Sequence, residues 1–180
     1  MILLNKLKIL WFCMLIFLLI PGPSQAQKPS QEYQLKLAFI VNFARFITWP
    51  EEAFSPELPQ LTLCILGENP FGDALNGVKG KKVGNRKLKI EQIDNLDKEP
   101  QCHLLFVSQS KVDSLAALTT AIGNRPIVTI SDIPDFATAG ETIEFVLKNN
   151  RLSFIINNSV LKERGVQASS SLLNLAVVTR

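Results

Sequence analysis

The sequence predicts a single α/β domain of three layers, a mainly parallel sheet with helices on both faces and a β-hairpin at its edge. Short, mainly apolar runs at Leu61–Leu66, Leu104–Val107 and Ile127–Ile130 have the composition of strands buried on both sides. Segments with helical spacing separate them, as alternating strand–helix units require. Two further apolar runs, Thr142–Leu147 and Leu152–Ile156, flank Lys148-Asn149-Asn150-Arg151. That reads as a hairpin, because asparagine tolerates the positive φ of a tight turn.

The chain opens with the three parts of a secretory leader. Lys6 and Lys8 precede an unbroken apolar run from Ile9 to Ile20, and Pro21-Gly22-Pro23 breaks it. Ser24-Gln25-Ala26 then offers small residues for cleavage, so residues 1–26 are expected to be removed and 27–180 to form the domain. The alternative, a membrane anchor, needs roughly 20 apolar residues, more than this run supplies. Gln27 rather than cysteine would follow the cut, which argues against a lipid anchor. The leader takes two of 19 basic residues, leaving 17 against 16 acids, or +1. A nearly neutral domain argues against nucleic-acid binding.

Within the domain, residues 31–48 read as a strongly apolar helix ended by Trp49-Pro50, since the residue before proline avoids the helical region. Leu61–Leu66 is the first strand. Asn69-Pro70 opens a short helix at Phe71–Leu75, and a glycine-rich basic stretch leads into alternation at Leu88, Ile90 and Ile93. After the strand Leu104–Val107 comes a helix over Lys111–Ile122, closed by Gly123. Ile127–Ile130 follows, then a helical turn at Pro134–Ala139 ended by Gly140, then the hairpin. The tail carries a helix from Val160 to Arg164, a break at Gly165 and a serine-capped helix from Ser169 to about Ala176.

Cys13 lies in the leader, which leaves Cys64 and Cys102. In an oxidising compartment such a pair is read as a disulfide; the alternative is two buried thiols. His103 is the lone histidine and sits at the start of a buried strand, where a structural role fits better than a catalytic base. No catalytic residue, metal site or cofactor is expected. The stretch from Lys79 to Lys89 holds six basic residues and no acid, without the aromatics of a nucleic-acid groove. It reads as a solvated loop balanced by nearby acids, or as a docking surface. In an open parallel sheet, ligands sit outside the carboxyl ends of the strands. Glu68 and Asn69, Ser108 and Gln109, and Ser131 and Asp132 leave three strands there, giving a candidate small-molecule pocket.

Several segments together resemble the YfiR family of bacterial periplasmic regulators. They are Asn42-Phe43-Ala44-Arg45-Phe46-Ile47-Thr48-Trp49-Pro50, Leu63 to Gly72, Gly80-Lys81 with Gly84 and Arg86, Cys102 to Ser108, Pro126 to Asp132 with Phe136 and Gly140, and Ser169-Ser170 to Leu175. The resemblance runs over about residues 33–178. It implies a non-enzymatic protein that binds the periplasmic region of an inner-membrane diguanylate cyclase and represses it, lowering cyclic-di-GMP and biofilm formation. It also implies a disulfide between Cys64 and Cys102, and a homodimer. Phe39, Phe43 and Phe46 on the first helix are the candidate partner or dimer surface, with ordinary core packing as the alternative. A periplasmic small-molecule sensor using the strand-end pocket is the second functional reading.

Overall fold

A computed structural model describes residues 31–54, 60–96 and 101–179; the expected leader lies outside them. The chain builds helix α1 (Gln31–Phe43), strands β1 (Ile47–Thr48), β2 (Leu61–Leu66), β3 (Lys82–Val83), β4 (Arg86–Ile93) and β5 (Leu104–Val107), then helix α2 (Leu115–Ile122). Strands β6 (Val128–Ser131), β7 (Ile143–Lys148) and β8 (Arg151–Ile156) follow. Helix α3 (Asn158–Glu163), strand β9 (Gln167–Ala168), helix α4 (Ser170–Leu173) and strand β10 (Val178–Thr179) complete it. The main sheet runs β10-β8-β7-β6-β5-β2-β4-β3 and is mostly parallel.

The mainly apolar strands are explained by what lies on each face. Leu63 and Ile65 of β2 and Leu104 and Phe106 of β5 join one cluster with Ile40 and Phe43 of α1. Their neighbours Cys64, Leu66, Leu105 and Val107 join a second cluster with Leu118 and Ile122 of α2. Strand residues alternate between faces, so each central strand supplies both clusters and has no solvent side.

The hairpin forms as the asparagines require. Asn149 and Asn150 have φ of 50° and 59°, the paired positive values of a two-residue turn matched to strand twist. Its place differs from the expected one: β10 pairs in parallel outside β8, Val178 opposite Ile155, so the hairpin is not the sheet edge. The first helix also ends earlier than expected. After Phe43 the turn tightens through Arg45 N–H to Asn42 O and Phe46 N–H to Phe43 O. Ile47 and Thr48 then extend to pair with Ala168 and Gln167. Burying Ile47 against β9 outweighs its helical spacing. The helix expected at Lys111–Ile122 opens as a 3₁₀ turn, Gln109–Ser114, capped by Ser108, and becomes α-helical at Leu115. Residues 134–139 form turns, with Ala139 N–H donating to Asp135 O and Asp135 at φ 62°.

One buried polar network ties the C-terminal third to the sheet. Arg164 donates to Gly123 O, Ile127 O and Thr129 Oγ1, and pairs with Glu141 Oε2 at 3.1 Å. Glu141 also accepts from Thr119 and Thr129 hydroxyls at 2.7 and 2.6 Å. Both charges are buried and both are multiply bonded, the condition under which a buried pair is tolerated.

Candidate functional site

The aromatic residues of α1 divide between inside and outside. Phe43 is 2% exposed and packs on Phe145 and Phe154 at ring-centroid distances of 5.8 and 4.7 Å. Phe39 covers the same pair from the margin, at 6.2 and 6.0 Å. Phe46 lies past the helix end, 43% exposed, with its carbonyl held by the Ser169 N–H. On the helix itself Leu35 (48% exposed), Ala38 and Asn42 are exposed at the spacing of a single face, which continues toward Phe46.

The carboxyl ends of β2, β5 and β6 are closer-packed than an open crevice. Gly67 turns at φ 88°, where a Cβ would stand 2.5 Å from Ser110 Oγ and 2.9 Å from Lys111 Cγ. Glu68 N–H donates to Ser110 Oγ, and Asn69 Oδ1 caps its own turn by accepting from Phe71 N–H. Ser108 Oγ accepts from Ser110 N–H, and Ser131 Oγ donates to Val107 O while accepting from Ile133 N–H. These four side chains or backbones are engaged with their own chain.

Gln109 and Asp132 instead line a cavity of about 570 Å³ between α1 and the β7–β8 hairpin. Gln109 Nε2 donates to Asp132 O at 3.3 Å. Asp132 Oδ2 accepts from Tyr33 Oη at 2.9 Å and pairs with Lys36 Nζ at 2.5 Å, and Lys36 also pairs with Glu32. Asp132 Oδ1 is buried without a partner. Burial, reinforced by the Asp132 hydrogen bond and charge, pushes the Tyr33 phenol pKa up, so it stays protonated as a donor. Glu144 also lines the cavity, its oxygens accepting from Asp135 and Ala137 N–H groups at 3.1 Å. Sequence reasoning missed Tyr33, Lys36 and Glu144. Lys36 sits between Leu35 and Leu37 on an apolar helix, and its partner lies 96 residues away.

Cys64 and Cys102 form a disulfide, with Cα atoms 5.7 Å apart. It joins the middle of β2 to the residues entering β5, inside the α2-side cluster. The adjoining His103 is neutral and structural. Nδ1 accepts from Thr62 N–H at 3.0 Å, so Nε2 carries the proton and donates to Ala53 O at 3.0 Å. Burial pulls its pKa down to about 4, against the Ala53 bond and with help from the Arg86 charge. The described residues contain no group of three or more His, Cys, Asp or Glu placed to hold a metal ion. None of their helices is long and apolar enough to cross a membrane.

Comparison with known proteins places the chain. Residues 33–177 match the sequence model of a family described as YfiR/HmsC-like. The fold is similar to the crystal structure of a conserved domain protein from Vibrio cholerae O1 biovar eltor, with a TM-score of 0.54 and 8% identity. The similarity covers 82% of this chain and 60% of that one, so this chain spans less than two thirds of its length.

Proposed function

This chain belongs to the YfiR/HmsC-like family, and we propose that it is a periplasmic regulator that binds and represses an inner-membrane diguanylate cyclase. The family is periplasmic and points to regulation of the diguanylate cyclase system. The observation that carries the partner surface is the exposed outer face of α1 and of the turn that follows it. Leu35 and Phe46 remain exposed there, while Phe39 and Phe43 are spent on the core. Large apolar side chains left outside a well-packed core mark interaction surfaces. The cyclase's periplasmic region would cover this stripe, and release would raise cyclic-di-GMP and biofilm formation. A homodimer using part of the same stripe would compete with the cyclase and supply the second state that a repressor needs.

The test is co-purification of the exported protein with the periplasmic region of its cyclase. Phe46→Glu and Leu35→Glu should each abolish capture while leaving the thermal transition in place. Undiminished capture by both variants would overturn this surface.

A second reading, a small-molecule sensor, has its own observation. Asp132 Oδ1 is a buried carboxylate oxygen without a donor, in a residue lining a cavity of about 570 Å³. The acids Glu32, Asp132 and Glu144 outnumber Lys36 there, which favours a ligand bearing an amine. Asp132→Asn should then weaken binding of such a ligand without unfolding the protein.

A further inference from the structure

A second cavity lies elsewhere. It measures about 760 Å³ and is enclosed by the segment leaving α1, the β3–β4 hairpin and the start of β2. Two stretches far apart in sequence, Arg45 to Glu51 and Val83 to Arg86, meet on it. Its chemistry is opposite to that of the Asp132 cavity.

Arg45, Trp49 and Arg86 all line it. Arg45 is exposed on the rim. The Arg86 guanidinium lies 3.4 Å over the Phe54 ring and, among the described residues, pairs only with the well-exposed Glu51, at 3.6 Å. Trp49 is buried in the wall, and its indole N–H has no acceptor. A buried indole N–H ordinarily finds a partner, so an unmatched one in a cavity wall calls for an acceptor from outside the chain. Ile47, Leu61, Val83 and Phe54 give the wall an apolar part, beside the polar Thr48 and Asn85. His103 stacks on Phe54 at 4.4 Å and is neutral, so the positive charge comes from the arginines alone. Among the described residues that line the cavity, Glu51 is the one carboxylate beside two guanidiniums.

We propose that this cavity binds a small organic anion, a carboxylate carried on a flat apolar body. The carboxylate is held by the forked donors of Arg45 and Arg86, and the Trp49 indole donates to it or to a nearby acceptor. The apolar body lies against Ile47, Leu61 and Phe54. The site does not depend on the cyclase reading, since a ligand can bind here whichever partner the outer stripe of α1 engages.

Trp49 is the only tryptophan outside residues 1–26, so emission of the exported protein reports on the cavity wall. Phenylacetate should change that emission saturably. Phenylacetamide, which keeps the shape and loses the charge, should bind about tenfold more weakly, as expected for loss of a charge-assisted contact. Phenethylammonium should give no saturable change. Arg45→Gln and Arg86→Gln should each weaken phenylacetate by about the same factor; Arg45 is exposed, so its replacement leaves the fold intact. The proposal is overturned by no saturable response to phenylacetate, by equal binding of the amide, or by Arg45→Gln binding as the parent does.

Discussion

Removing the Cys64–Cys102 bond should cost the domain about as much stability as the chain-entropy model allows. The bond closes 38 residues, and a loop of that length carries about 4 kcal/mol of unfolded-state entropy at 25 °C. For a domain of this size each kcal/mol moves the thermal midpoint by roughly 2–4 °C, so reduction should lower it by about 10 °C. Both cysteines are buried, and the freed thiols remain inside the α2-side cluster, so little native packing is lost. The assay is urea unfolding of the exported protein with and without a reductant, repeated on the Cys64→Ala, Cys102→Ala double variant. Because the bond acts on the unfolded chain, its loss should also steepen the denaturant dependence, as a freer chain exposes more surface. A stability change below about 1 kcal/mol, with unaltered denaturant dependence, would refute this reasoning.

Acid should destabilise the fold through His103. Its folded pKa of about 4 lies below the unfolded 6.5, so the unfolded chain binds more protons between those values. The contribution is complete above about pH 6.5 and is lost as pH falls toward 4, on the order of 2–3 kcal/mol; urea titrations at both ends, with His103→Gln flattening the difference, check it. Glu141→Ala strands Arg164 in the interior and should cost about 3–5 kcal/mol, read from the same unfolding curves. Phe43→Ala should cost about 3–5 kcal/mol. Phe46→Ala should stay within about 0.5 kcal/mol, a contrast that thermal denaturation resolves directly.

Much of the sheet was legible because its strands are buried on both faces. Leu61–Leu66 and Leu104–Val107 fall where their mainly apolar runs put them. Asn149 and Asn150 mark the turn because few other residues take positive φ twice in succession. The two-residue strands β1, β9 and β10 were not legible. Two residues carry no periodicity, and their pairing is decided by what the rest of the fold brings alongside. That is also why the end of α1 was misplaced and why β8 was expected at the edge.

The sites were less legible than the fold. Polar residues after buried strands pointed to the carboxyl end of the sheet. Glu68 and Ser110 instead bond to each other across that end, leaving Gln109 and Asp132 on a cavity whose other walls come from α1 and β7. The burial of Lys36 depends on a carboxylate 96 residues away, which no local pattern records. Trp49 reads in sequence as the residue before a proline that stops a helix. Its unmatched indole N–H emerges only once Val83 to Arg86 fold back beside it.

The regulatory role is tested most directly by crosslinking the tagged protein in its native cell envelope and identifying the captured membrane proteins by mass spectrometry. Repression by contact predicts specific capture of a diguanylate cyclase with a periplasmic region, lost with Phe46→Glu. Clean recovery of the tagged protein without any such cyclase, from cells shown to express one, would contradict it.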